Sequence, residues 1–368
     1  MILVPRPVGL RVAGVKVALI LKGFQAFAIA LALLAVTSNG VRAASSRFSP
    51  PAPQLEGLTR QTRLDAAPRI HLVVELQPKD PSLDALAASI LDPASSSHRA
   101  TLSKAAFDAR FGRSQGEIDG LATWMHVHGA ENVYASSNRL VVGGDFTLDQ
   151  AGRALRTVFA LYLAGPRRVI APTTPLTIPV DGIRAVRGTI SAFTPRLADT
   201  PTLPNDFRGA WFLPTRFREA YDAVENGGAG MRIALIEDAS DAMRAGDVAA
   251  FLAADGAPPG ASGARVSERV IVAPSSDAGC GRDDRGQEAT IDVDAALTLA
   301  PGANVDVRYD QVCLRGSEGT LALQRALDDA NAPNVIVFPF TVGPTYDAVA
   351  TDWGPTSIPY LEAAVRGI

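Results

Sequence analysis

The chain has 368 residues, 47% of them hydrophobic and 20% charged, with a formal net charge of −3. At about 150 residues per domain this length allows two or three domains, and the apolar share supports a buried core, which excludes wholesale disorder. The near-neutral charge excludes a global basic field for nucleic acid, and 32 Gly with 26 Pro point to turns and a linker rather than a helical bundle.

Arg6, Arg11, Lys16 and Lys22 precede an apolar run from Phe24 to Val36. Val41-Arg42-Ala43 then offers small or apolar residues at the −3 and −1 positions of a cleavage site. The run is short for a membrane span and fits a signal peptide over residues 1–43, with an uncleaved anchor as the alternative. No later stretch spans a bilayer, so the expected mature protein is soluble and secreted, extracellular or periplasmic. Residues 44–69 read as a leader.

Ile70 to Leu76 predicts a strand, and Asp80-Pro81-Ser82 caps a helix through Leu91. Ser103 caps a second helix carrying Phe107 and Phe111, which Gly112 stops. Ser114 with Glu117 forms a capping-box pattern for a third helix with Ile118, Leu121 and Met125 on one side. Two short strands flank Ser136-Ser137-Asn138 as a hairpin. Thr147 caps a long helix with Ala151, Leu155, Val158 and Tyr162 as its stripe. Residues 70–170 thus read as an α+β unit compatible with a ferredoxin-like fold. Prolines crowd residues 171–214, which predicts a linker. Beyond it, strands at 231–236, 266–272, 303–309 and 335–338 alternate with helices, which argues for a parallel α/β sheet over residues 231–368. Gly227-Gly228-Ala229-Gly230 precedes its strand and reads as a turn, not a phosphate loop.

Cys280 and Cys313 allow one disulfide or two buried or free thiols, and their spacing matches no zinc pattern. His126 and His128 diverge near a helix end and read as solvated or helix-terminal histidines. Glu288 and Asp292 are four apart on a predicted helix, so both carboxylates share a face. Like charges at that spacing hold a proton readily, and Ile291, Val293 and Leu297 supply an apolar setting. Asp238 could instead be the acid of an ordinary Ser-His-Asp triad, but no histidine follows His128.

The stretch from His98 to Ser103, Phe107-Asp108-Ala109-Arg110-Phe111-Gly112-Arg113-Ser114-Gln115 and Asn138-Arg139-Leu140-Val141-Val142 together resemble the activation domain of sedolisin-type serine-carboxyl peptidases, the kumamolisin group. Glu288 to Asp294, running into Ala300-Pro301-Gly302, resembles the helix that supplies their catalytic Glu and Asp. Arg187-Gly188 and Leu213-Pro214-Thr215 look like the family's pro/mature junction. The resemblance implies a pro-kumamolisin activation domain at 70–170, a linker with the maturation site at 171–214, and the N-terminal part of a subtilisin-like domain at 215–368.

It implies a secreted zymogen cleaving proteins and peptides at acid pH, with the pro-domain as intramolecular inhibitor and chaperone. Glu288 would be the base toward a serine, Asp292 its orienting partner and Asp294 a supporting carboxyl. His98 matches a family position where a pH-sensing role is expected. The family's nucleophilic serine segment (Ser-Gly-Thr-Ser type), its oxyanion Asp segment and its Ca2+ loop do not occur among these residues. The chain by itself is therefore expected to be inactive, and a non-catalytic exported inhibitor, chaperone or interaction protein is the alternative.

Overall fold

The structure is a computed structural model that describes residues 46–48, 59–61, 69–164, 167–189, 191–193, 214–223, 227–238, 242–243, 246–255, 258, 260–271, 287–310, 318–339 and 357–368. The expected signal peptide over 1–43 and the pair Cys280 and Cys313 lie outside the described residues. Residues 46–178 and 182–368 form one compact unit. It is a mixed α/β unit that contains both antiparallel and parallel sheets.

The strands of the N-terminal half are β1 (Ser46–Phe48), β2 (Thr59–Gln61), β3 (Arg69–Leu76), β4 (Glu131–Ala135), β5 (Val141–Thr147), β6 (Phe159–Ala164), β7 (Arg167–Pro172), β8 (Leu176–Ile178), β9 (Ile183–Arg187) and β10 (Ser191–Phe193). Its helices are α1 (Leu83–Leu91), α2 (Lys104–Phe111), α3 (Gln115–Val127) and α4 (Leu148–Leu155). One antiparallel sheet runs β4-β5-β3-β9, a second runs β10-β7-β6-β2, and β1 pairs with β8.

Strand β3 is covered on both faces. Ile70, Leu72, Val74 and Leu76 are buried on one side, His71, Val73 and Glu75 on the other. Helices α3 and α4 pack against this sheet. The capping signals set their starts. Ser114 accepts from the Glu117 backbone N–H, and the Glu117 carboxylate accepts from the Ser114 N–H at 2.9 Å. Thr147 makes the same reciprocal box with Gln150.

Two expectations fail here. The helix from Thr147 does not reach Tyr162; it stops at Leu155, where Arg156 turns left-handed at φ 53°. Phe159, Ala160 and Leu161 are then buried in a strand, while Val158 is 62% exposed. The apparent helical stripe was a chance overlap of periods. Residues 171–214, expected to be a linker, instead hold β8, β9 and β10, and β9 pairs with β3. Pro172 ends a strand, and Pro175 and Pro179 fall between strands, where the missing N–H costs no ladder bond.

The C-terminal half follows the expected alternation, with α5 (Pro214–Ala220), β11 (Arg232–Asp238), α6 (Asp247–Asp255), β12 (Val266–Val270), α7 (Gln287–Leu299), β13 (Asn304–Asp310), α8 (Glu318–Leu327), β14 (Val335–Val337) and α9 (Ile358–Arg366). The sheet is parallel in the order β12-β13-β11-β14. Ala289, Val293 and Leu297 of α7 pack on Ile233, Leu235, Val305 and Val307. Ile236 alternates to the other face and meets Ala322, Leu323, Ala326 and Leu327 of α8. Residues 227–230 form a turn before β11, as their position ahead of the strand predicts.

The two halves meet through α8 and α9. Gly143 of β5 lies so close to α8 that a Cβ there would sit 2.8 Å from Leu321 Cδ2 and 3.0 Å from His71 Nε2. A larger residue would have to displace the ends of the Leu321 and His71 side chains. The face bearing His71, Gly143 and Asp145 therefore rests on α8, and the Leu102 N–H bonds the Val365 carbonyl of α9 at 2.8 Å.

Candidate functional site

Helix α7 brings the three expected carboxyl residues to different depths. Glu288, in its first turn, is exposed; Asp292 is half-buried; Asp294 is 1% exposed. Their placement follows from the stripe Ala289, Val293 and Leu297, which fixes the buried side of the helix. Asp292 stands one turn from Glu288, at the border of that stripe. Asp294 lies off their shared face. Ile291, expected to help desolvate the pair, is 60% exposed; the desolvation comes instead from the packing of α7 on the sheet.

Asp292 hydrogen-bonds Glu237, near the C-terminal end of β11. Burial raises the Asp292 carboxyl above its ordinary value, and the bond from Glu237 offsets part of that rise. Glu237 is 1% exposed. The half-buried Asp292 carboxyl therefore holds its proton more readily than a free aspartate. The Asp292 Oδ2 is buried and meets no hydrogen-bond partner. The arrangement is a carboxyl chain, Glu237 to Asp292, with Glu288 one helical turn further toward solvent. It sits at the carboxyl end of a central parallel strand, where α/β sheets place their reactive groups.

Sequence reading missed Glu237 as a partner of Asp292. The available signal was an acidic Glu237-Asp238 pair closing a buried apolar strand, which had suggested Asp238 alone as a triad acid. The described histidines do not join this site. His98 Nδ1 lies 3.1 Å from the Ile90 carbonyl, and His128 Nδ1 lies 2.7 Å from the Trp124 carbonyl, with its ring 4.9 Å from that of Trp124. Among the described residues no group of three or more His, Cys, Asp or Glu could hold a metal ion. No described helix is long and apolar enough to cross a membrane.

A second constellation, also missed from sequence, joins the halves. The tip of the β4–β5 hairpin presents donors to α8 and α9. Asp328 accepts from the Tyr134 hydroxyl at 2.5 Å, the Ser137 N–H at 3.0 Å and the Ser137 hydroxyl at 2.5 Å. Asn138 donates to Glu362 at 2.7 Å and to Gln324 at 3.3 Å. Glu362, fully buried, also accepts from Gln324 at 3.0 Å and Arg366 at 2.7 Å. Burial raises its carboxyl above the usual range, against the lowering by Gln324 and Arg366. Arg325 stacks on the Tyr134 ring, 5.1 Å from its centroid.

Residues 56–191 match the family described as "Pro-kumamolisin, activation domain". Xanthomonalisin of Xanthomonas sp. (strain T-22) is 28% identical over 140 residues. That stretch is 37% of this chain and 17% of the relative, so the match spans about a sixth of that curated protein's length. The matched region holds the β4-β5-β3-β9 sheet, its hairpin tip and the helices that precede it, the parts that dock on α8 and α9. Over residues 56–191 the chain is thus similar to a pro-kumamolisin activation domain, and both comparisons support a sedolisin-family precursor.

Proposed function

We propose that this chain is the activation domain and the base-bearing part of an exported serine-carboxyl peptidase zymogen acting on proteins and peptides in acid. The observation that carries this reading is the Glu237–Asp292 contact, with Glu288 one turn away, on a helix over the end of a central parallel strand. A carboxylate base keeps its function at acid pH, where an imidazole is protonated. In this reading Glu288 takes the proton from a serine hydroxyl. Asp292 orients Glu288 and, through Glu237, holds a proton that would otherwise be lost to solvent. Asp294 supports the helix from its buried side.

The same reading assigns a ferredoxin-like fold to the activation domain, supported by the sheet order β4-β5-β3-β9. It assigns a subtilisin-like fold to the parallel half, supported by the order β12-β13-β11-β14. Helices α8 and α9 lie on the face of the parallel sheet opposite α7. The activation domain thus grips the scaffold of the site, and its inhibition acts through that grip and the segment that follows β10. Residues 1–43 serve export, and Cys280 with Cys313 suits a disulfide in an oxidising compartment.

The test is proteolysis by a polypeptide that carries this segment together with the serine. Glu288→Gln is expected to lower kcat/KM by about 10²–10⁴-fold with little change in KM, as loss of a general base does. Asp292→Asn follows by a similar factor and shifts the acid limb of the pH profile. A loss under tenfold in both variants removes these residues from the chemistry.

A further inference from the structure

The face of the activation sheet that rests on α8 is unusually polar for a buried surface. His71 and Asp145 are directly opposed on β3 and β5, and His71 Nδ1 lies 2.6 Å from Asp145 Oδ1. The other oxygen of Asp145 accepts from Asn132 of β4 at 2.7 Å. His71 is 6% exposed and Asp145 7%. One carboxylate therefore ties three adjacent strands together beneath α8. Further along the same face Glu75 and Arg187 form a buried ion pair at 2.7 Å that ties β9 to β3.

The docking contact has the opposite acid response. The carboxyl of Glu362 accepts from Asn138, Gln324 and Arg366, and burial raises it. A carboxyl raised by burial in the folded chain does not lose stabilisation as pH falls through its raised value. Asp145 behaves the other way. Burial alone would raise it, but His71, Asn132 and Arg69 together bring it below its ordinary value. Its stabilising effect is present above the ordinary carboxylate range and is lost as pH falls through the lowered value. Protonating it removes the charge that strengthens its bonds to His71 and Asn132.

We propose that the acid-labile element of this precursor is the His71–Asp145–Asn132 cluster inside the activation sheet. Acid loosens that sheet and frees the helices beneath it, rather than parting Asn138 from Glu362. The neighbouring charges do not reverse this assignment. Around Asp145, Arg69 is held by Glu131 at 2.6 Å, and Asp149 and Arg153 of α4 and Glu117, Asp119 and His126 of α3 are exposed. From α8, Arg325 is held by Asp310 at 2.9 Å, and Asp328 by the hairpin. Around Glu362 stand Arg366, Asp328, Arg325 and Tyr134, with Lys104 and Asp108 of α2 paired at 2.8 Å and Asp84 of α1 bound to Arg184 at 2.6 Å. His98, held at the Ile90 carbonyl within its own domain, is not needed.

That this lability triggers activation rests on the zymogen reading; the lability itself does not. The experiment is hydrogen exchange of the whole chain, corrected for intrinsic rate, from pH 7 to pH 3. It reads structure without peptidase activity, so it can fail independently of that reading. Peptides over residues 69–76 and 141–147 are expected to lose protection at higher pH than those over residues 358–366. Asp145→Asn is expected to lower protection of the two strands at least tenfold at pH 7 and to flatten their pH dependence, while Glu362→Gln keeps the wild-type order. Loss of protection at residues 358–366 first overturns the proposal, as does an unchanged acid response in Asp145→Asn. If that variant does not fold, the order in the wild-type chain decides alone.

Discussion

Asp328→Ala is expected to uncouple the hairpin from α8 and α9 at a cost of about 3 kcal/mol, within the range for stripping one partner from a buried charged contact. Asp328 is 7% exposed on its side chain and accepts two hydroxyls and a backbone N–H from the hairpin. Alanine leaves all three donors facing a gap that the packed helix cannot close. Tyr134 is affected most. Burial and the Asp328 carboxylate both raise its phenol, so its hydroxyl is a committed donor that needs an acceptor. Asp328→Asn keeps one acceptor oxygen but adds a donor among donors, and about half of the loss should return. Urea unfolding of the whole chain reads the stability difference, and limited proteolysis locates it at residues 318–327. A loss below about 0.5 kcal/mol would place the contact with exposed ion pairs, which contribute little.

The reason such residues escaped the sequence reading is physical. Local signals were legible wherever a residue decides its own backbone. Ser103 and Ser114 cap the helices they were expected to cap, and Gly112 ends α2 where expected. Gly112 carries a further constraint, since a Cβ there would lie 2.6 Å from the Asn138 carbonyl and 2.5 Å from that of Asp108. The parallel half was legible because its strands are continuous apolar runs between helices. Two failures came from period and composition. The stripe continued past Arg156 into a strand, and the prolines masked β8 to β10. Asp328 and Glu362 read as ordinary polar residues, and Asn138 as a hairpin residue only, because their roles here depend on partners about 190 and 224 positions away. Glu288 and Asp292 were legible as a pair by spacing alone, whereas Glu237 became visible only once β11 was set beside α7.

Phe107→Ala is expected to cost the activation domain about 3–5 kcal/mol, a large share of the 5–15 kcal/mol typical of a domain. Phe107 and Phe111 are fully buried, with ring centroids 5.0 Å apart, and the Arg110 guanidinium lies 4.9 Å from the Phe111 centroid. Removing one ring opens a cavity bounded by its partner ring and fixed helices, so the site cannot collapse to fill it. The consequence extends to the hairpin. Arg139 donates to the Arg113 carbonyl at 2.5 Å and to the Asp108 carbonyl at 3.0 Å, so the end of α2 holds the hairpin whose tip grips Asp328. A shift of α2 should therefore weaken the grip at a distance. The double variant Phe107→Ala with Asp328→Ala is accordingly expected to lose about 1 kcal/mol less than the sum of the single losses, the signature of coupled sites. Strict additivity in urea unfolding would mean that the aromatic pair stabilises the domain without positioning the hairpin. Phe107→Leu, which preserves most of the volume, should retain both the stability and the coupling.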